Sequence, residues 1–575
     1  MKLRQVWAAL AATALCAGTL TACTDADPGS QAAATAVPDS LEQARTENRA
    51  HNVDQRFGSA PTVVADPTNS GVEATKIFFE SSETAVVSGP SDADQLRAAS
   101  LAITAHAPVL RWTPDTAEKV TAELHRLGVG KILAVGEVDP AGVDSAFGTD
   151  AQVIVDPGTS AALSDLTSLE FGQEEVNTPA QMVAAAAKFD AKNPVELQAV
   201  WEPRPAQEEA TSTATQERVA AFPVQSAQDG QVAPVVVAAP QSSVIEVATA
   251  RAYGTTIRVM DYPDPRINET AHKMVVGLDD QPLIALGAGF GDSQQLSRKI
   301  QLADQASAKG QELPGGGNLV FPGRRMIALY GHPSGGALGV MGERDPQGSV
   351  DYVKDLVAQY QPLEPDQKVI PAFEIIATVA SEFPGEDGDY SNEADPEELI
   401  PYIDAIVAAG GYAVLDLQPG RANFLDQAKR YEELLKRPNV GLALDAEWRI
   451  GPDEAPLSRV GHVEAAEVNE TSEWLARLVS DNQLPQKAFV LHQFQLQMLP
   501  DRDNIRTDHP ELAYVLHADG HGVAEEKFGT WNAMLQGLNP SWFMAWKNFF
   551  DEDKPMFTPQ QTYDVAPRPW FVSYQ

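Results

Sequence analysis

Leu444-Asp445-Ala446-Glu447-Trp448 sets two carboxylates at positions i and i+2 of an apolar run. On a strand such residues share a face, ~6.6 Å apart along the backbone. At an effective dielectric of ~20, two charges at that separation repel by ~2.5 kcal/mol, enough to hold one protonated beside an ionised partner. Acid–base hydrolysis of a glycoside needs that asymmetry. More polar groups end other apolar runs: His332; Glu374; Asp416 with Gln418 and Arg421; His492 with Gln493; Asp519 with His521; Lys547. Tyr330, Trp448, Trp542, Trp546 and Trp570 are candidate faces for stacking against a sugar, each also suited to a core. Buried charges need partners, so acids and histidines at nearly every run end point to a functional mouth. The opposing reading is a rim pair neutralised by Arg449 or Arg421.

Other chemistries fit less well. His332, His492, His517 and His521 with Asp416, Asp445 and Asp519 could ligate a divalent ion, but HxH and HxxEH spacings are missing. No metal or other cofactor is expected. There is no Gly-x-Ser-x-Gly elbow for a serine nucleophile. Gly287-Ala288-Gly289-Phe290-Gly291 lacks dinucleotide-binding spacing and reads as a tight turn.

The run ends need a scaffold. Eight short apolar runs recur at 326–332, 369–374, 412–418, 440–447, 488–493, 512–519, 542–547 and 570–574. Helical periodicity fills several gaps, at 349–360, 396–409, 424–436 and 465–480. Eight strands alternating with helices over ~250 residues predict a (β/α)8 barrel with its active site at the strand C-termini. After the eighth run another part of the chain, such as the N-terminal region, must cover the flank. Asp-x-Glu at a barrel strand end resembles several glycoside hydrolase families, including the barrel lysozymes of family 25. The resemblance implies Glu447 as proton donor, with Asp445 orienting substrate or charging the site. Glu374, Asp416 and Asp445 are the candidate partner carboxylates. His332, Gln418, Arg421, Trp448, His492, Gln493, Asp519 and Lys547 are the candidate substrate contacts.

Before the barrel, strand and helix patterns alternate, with glycines at the turns. Thr84-Ala85-Val86-Val87-Ser88-Gly89 is a strand, 92–106 a helix, 107–112 a strand, 116–127 a helix, and 131–136 a strand. That order argues a parallel sheet with helices on its faces. Asp92-Ala93-Asp94-Gln95-Leu96, Ala98-Ala99-Ser100-Leu101-Ala102, Ala107-Pro108-Val109-Leu110, Glu123-Leu124-His125-Arg126-Leu127-Gly128-Val129 and Ile132-Leu133-Ala134-Val135-Gly136 resemble the cell-wall-binding repeat 2 family over about 60–140. The resemblance implies Rossmann-like α/β units and wall binding. No second copy is legible at 150–200. A degenerate unit is expected at 234–300, with strands at 234–239, 256–259 and 283–287 and a helix at 243–253.

The chain starts with Lys2 and Arg4, an apolar run from Val6 to Leu20, and Leu20-Thr21-Ala22-Cys23. The run is too short to span a ~30 Å hydrocarbon core and has the layout of a secretory signal. Leu-Thr-Ala-Cys resembles the lipobox of bacterial lipoproteins, implying cleavage before Cys23 and lipid, palmitate-like chains included, on that residue. Two or more chains anchor stably. Of the two cysteines, Cys16 would be removed, so lipidation leaves no thiol for a disulfide, metal or nucleophile. The chain has 80 acids and 42 bases, a net charge of −38. Removing Lys2 and Arg4 leaves 80 against 40, or −40. With no basic cluster, nucleic-acid binding is not expected.

The expected organisation is therefore signal peptide 1–22; lipidated Cys23 and flexible tether 23–60; repeat-like α/β region 61–202; linker 203–231; second α/β unit 232–310; barrel 320–575. The expected partners are the membrane, through the anchor on its extracytoplasmic face, and a cell-envelope glycan that is bound and hydrolysed. A noncatalytic wall-binding scaffold or receptor is the alternative.

Overall fold

The computed structural model describes residues 51–52, 57–139, 141–143, 151–167, 169–202, 222 and 233–575. The expected signal peptide, Cys23 and nearly all of the tether and linker lie outside the described residues. No helix among the described residues is long and apolar enough to cross a membrane.

The C-terminal half is a closed, all-parallel eight-stranded barrel. Its strands are β1 (Arg324–Gly331), β2 (Lys368–Ala380), β3 (Tyr412–Leu417), β4 (Val440–Asp445), β5 (Lys487–His492), β6 (Leu512–Ala518), β7 (Phe543–Asn548) and β8 (Phe571–Tyr574). They pair in sequence order, and β1 closes the ring with Met326 opposite Phe571 on one side and Arg324 opposite Lys368 on the other. β2 runs on beyond the ring to pair antiparallel with Ser391–Glu393. All eight expected runs are these strands, so the chain is an α/β protein with a (β/α)8 barrel.

Helices coat the outside, and polar caps explain several starts. Asp345, Asp395 and Asn423 accept first-turn N–H groups of helices Pro346–Tyr360, Pro396–Ala408 and Phe424–Arg430. The helix expected at 424–436 breaks at Tyr431. That residue turns inward, and its hydroxyl donates to the carbonyls of Ala377 and Ala394 at 2.7 and 3.0 Å. The β8 flank is covered by the barrel itself. The Tyr574 and Tyr360 hydroxyls are 2.6 Å apart, and Tyr563 of helix Pro559–Tyr563 packs on Tyr360 at 4.5 Å between rings. The N-terminal region instead meets the opposite end, below the strand N-termini. There Leu313, Val320 and Phe321 plug the barrel against Phe543 and Trp570, while Arg298 of helix Ser293–Lys309 holds Glu511 at 2.8 Å.

The N-terminal region contains two four-stranded parallel sheets. One has the order Val109–Arg111, Thr84–Ser88, Lys131–Val135, Gln152–Val155. The other has the order Ile257–Val259, Val235–Ala238, Leu283–Leu286, Pro61–Val64. Pro61–Val64 thus completes the later sheet, which a division at 203–231 does not foresee. Helices Asp92–Ala105 and Val244–Tyr253 pack on each other and are buried on nearly every residue, Arg97 and Glu246 included. A further parallel pair, Gly172–Val176 with Val195–Ala199, lies where no repeat was legible. Its first strand reads Gly-Gln-Glu-Glu-Val and is exposed at four of five residues, so it has no apolar signature.

Candidate functional site

Strand alternation sorts the barrel side chains. One set faces the helices, including Leu329, Phe373, Leu415, Leu442, Leu491, Leu516, Trp546 and Val572. The other fills the interior with Met326, Ala328, Ile370, Ala372, Val414, Ala443, Val490, Val515, Ala545 and Phe571. Two residues further along, each of the eight strands carries an inward polar group: Tyr330, Glu374, Asp416, Asp445, His492, His517, Lys547 and Ser573. None of the eight is more than 4 % exposed. One polar group per strand at one level is a built layer, because burying each costs free energy unless it is satisfied.

His492 is its hub. Its Nε2 lies 3.0 Å from Glu374 Oε1 and its Nδ1 lies 2.9 Å from Asp519 Oδ2. Burial opposes charge on this imidazole, but Glu374 and Asp519 outweigh it and hold the ring protonated well above its ordinary range. Burial would likewise raise Glu374, yet His517 and His492 keep its carboxyl below the usual range. Asp519 is lowered despite burial, by its hydrogen bond to His492 and by His492 and Lys547 charge. Burial lowers His517, whose Nε2 is 3.0 Å from the Ser573 hydroxyl and whose Nδ1 stands 3.5 Å from Glu374 Oε1. On the far side Tyr330 donates to Asp416 at 2.8 Å and accepts from Gln418 at 3.2 Å. Lys547 Nζ sits 3.7 Å from the centre of the Tyr330 ring. Burial, with repulsion from Glu374, pushes Asp416 up to about 6.

The Asp445–Glu447 pair differs from the strand geometry expected of it. β4 ends at Asp445, and Ala446–Trp448 form a 3-10 turn whose Glu447 N–H donates to the Asp445 carboxylate at 3.2 Å. Glu447 is thereby turned from the shared strand face toward the rim. Both acids are raised, and burial rather than mutual repulsion is the largest cause. Asp445 goes well above the carboxylate range, with Asp416, Glu447 and Asp519 adding to burial. Glu447 is pushed up to about 7 by burial and then by Asp519. Neither is neutralised by the neighbouring arginines. Arg449 pairs with Glu467 at 3.1 Å, while Arg421 donates to the Glu454 carbonyl and stacks on Tyr390. Glu447 and Trp448 are half-buried and border a pocket of ≈ 260 Å³, closed by Ile450, Pro456, Leu457, Arg459 and Val460.

The structure thus gathers Glu374, Asp416, Asp445, His492, Asp519, Lys547 and Gln418 around one interior, with Glu447 and Trp448 at its rim. Three expected contacts go elsewhere. His332 accepts from the Ser334 N–H at 3.0 Å in the turn after β1. Gln493 spans the loop after β5, donating to Gln495 and accepting from Arg502 at 2.9 Å. Arg421 is held as described above. Trp546 points outward against Trp531 and Phe557, Trp542 packs on Tyr514, and Trp570 lies at the closed end beneath Arg325. Of the layer, Ser573 was not among the expected residues, and His517 was named only as a candidate metal ligand. The period of two from Ala513 and Val515 gives His517, and that from Phe571 gives Ser573.

No protein-family model matches the chain, and no curated protein is similar to it. Among solved structures, a crystal structure of a xylanase-A-amylase inhibitor protein aligns at 11 % identity with a TM-score of 0.28, covering 44 % of this chain and 92 % of that one. The barrel assignment rests on the closed strand register described above.

Proposed function

We propose that the barrel mouth binds and hydrolyses a glycan, with Glu447 as the proton donor and Asp519 as the ionised carboxylate facing it. The observation carrying this reading is Glu447 itself, a rim carboxyl pushed up to about 7 and therefore protonated for a large share of the time at neutral pH. Asp519 exerts the strongest charge effect on it, stays ionised, and has an Oδ1 without a hydrogen bond. Asp445 is the weaker partner, since burial keeps it protonated. Glu374 and Asp416 lie deeper, below the reach of a bulky substrate. Trp448 at the pocket edge offers a face to a sugar ring. The lipobox-like Leu20-Thr21-Ala22-Cys23 supports a lipid-anchored, extracytoplasmic protein, and the repeat-like α/β region supports a cell-envelope glycan as substrate.

The test is to screen envelope glycans for hydrolysis by the wild type beside Glu447→Gln. Loss of ~10²–10⁴-fold in turnover supports the assignment, and equal activity in both overturns it. Glycan binding without hydrolysis is a second reading, favoured by the complete burial of Glu374 and Asp416. It is upheld if both proteins bind the glycan equally and neither turns it over. Anchoring is tested separately by detergent-phase partitioning of the wild type and Cys23→Ser. Partitioning of both alike would exclude lipid on Cys23.

A further inference from the structure

We infer that Glu374, His492 and His517 form a binding site for a borderline divalent cation of the zinc class, at the floor of the barrel mouth. The inference stands on donor geometry and does not depend on glycan hydrolysis. The three groups come from β2, β5 and β6, are fully buried, and place one ligand atom each within 4.8 Å of the others. A tetrahedral ion with ligands at ~2.0–2.1 Å needs donor–donor edges of about 3.4 Å. Glu374 Oε1 lies 3.0 Å from His492 Nε2 and 3.5 Å from His517 Nδ1.

Unpartnered atoms and tethered ring nitrogens fit the same site. His517 Nδ1, Glu374 Oε2 and Asp416 Oδ1 are buried polar atoms without a hydrogen-bond partner. Unsatisfied groups of this kind are costly in a core unless something occupies the space between them. Asp416 Oδ1 stands 3.9 Å from His492 Nε2. The other ring nitrogens of the two histidines are both tethered, His492 Nδ1 to Asp519 at 2.9 Å and His517 Nε2 to Ser573 at 3.0 Å. Ligating imidazoles are oriented and made more basic in the same way, by a carboxylate or hydroxyl on the remote nitrogen. Two imidazoles and one carboxylate suit zinc better than magnesium or calcium, which prefer all-oxygen shells. On binding, the ion displaces the proton that His492 shares with Glu374, and that proton is released to solvent. His492 then keeps only its Nδ1 proton, donated to Asp519.

The experiment is calorimetric titration of the purified, chelator-treated full chain with Zn²⁺ and, separately, Mg²⁺. The expected result is one tightly bound equivalent of Zn²⁺ and no saturable Mg²⁺ binding. His517→Ala should weaken Zn²⁺ binding more than 100-fold. Asp519→Asn keeps the side-chain shape and should weaken it ~10–100-fold by loosening the hold on His492 Nδ1, so the test survives if His517→Ala does not fold. Co²⁺ in place of zinc should give the visible absorption of a tetrahedral site. Wild-type protein without a stoichiometric Zn²⁺ site, or Zn²⁺ affinity unchanged in folded His517→Ala or Asp519→Asn, overturns the inference. Hydrolysis is not the readout, so loss of the zinc site and loss of the Glu447 assignment are separate outcomes.

Discussion

Two of the buried charged clusters among the described residues are built to different ends. In the N-terminal region Arg97 is 1 % exposed and sits between two acids. Its Nε and Nη2 grip Asp156 at 2.6 and 2.8 Å, Nη1 holds Glu196, and Nη2 also reaches the Thr159 carbonyl at 2.8 Å. Ser160 and Gln198 donate to the second oxygen of Glu196. Each charge there meets its complement. In the barrel layer Glu374, Asp416, Asp519 and His517 each keep an unpartnered atom, and Asp416, Asp445 and Glu447 are raised by burial. A buried cluster that is fully paired fixes a fold. One that is left under-satisfied stores the charge asymmetry that chemistry or a ligand can use.

The widest separation of the two comes from Glu447→Gln. It should cut glycan turnover by ~10²–10⁴-fold while leaving the unfolding transition no lower than in the wild type, because an amide needs no neutralising proton. A fall in stability with activity intact would reverse the assignment and make the barrel cluster the structural one. Arg97→Met is the counterpart. It strands Asp156 and Glu196 without their cation and should destabilise the N-terminal region by ~3–5 kcal/mol, read by urea unfolding. Barrel activity at low temperature should be unaffected. An Arg97→Met protein as stable as the wild type would remove the contrast.

A third measurement uses pH. Glu447 must be protonated to donate, so kcat should fall tenfold per pH unit above about 7, while Asp519, lowered from 3.8, sets an acid limb on the far side of that value. Stability follows the same signs. Glu447 and Asp416 have raised carboxyls, so their contribution is fully present below the unfolded values of 4.5 and 3.8 and is lost as pH rises through about 7 and about 6. Glu374 and Asp519 are depressed, so theirs is present above the unfolded values and lost on acidification. Glu447→Gln should flatten the decline between pH 5 and 7. Rate and stability profiles that do not change in that window would detach Glu447 from both.

The scaffold was far more legible than the site. All eight barrel strands show as apolar runs because their two faces are both buried, one against helices and one inside the ring. Strand Gly172–Val176 did not show, because its exposed acidic residues carry no burial pattern. At the site, the strand ends Glu374, Asp416, Asp445 and His492 meet in one interior, as a period of two requires. Residues past the strand ends were less legible, because a turn, not alternation, decides their direction. Glu447, Gln493 and His332 all lie there, and one reaches the mouth while two brace loops. Trp546 takes its core place for a related reason. Trp546 is one residue from Lys547, and on a strand one residue is the difference between the helix layer and the interior.

The smallest expected effect probes how the under-satisfied cluster transmits charge. Tyr330→Phe removes a donor to Asp416 and the acceptor of Gln418 Nε2, but keeps the ring on which Lys547 rests. The loss of buried hydrogen bonding should cost about 1–3 kcal/mol. The pH profile carries more information. Without the Tyr330 hydroxyl, burial and Glu374 act on Asp416 with one lowering influence fewer, and its carboxyl rises above about 6. A more neutral Asp416 then repels Glu447 less, and the Glu447 carboxyl falls below about 7. The alkaline limb of the rate profile should therefore move to lower pH in Tyr330→Phe. An alkaline limb that stays in place would mean that Asp416 and Glu447 do not sense one another, and that the polar layer is a set of separate contacts like those of Arg97.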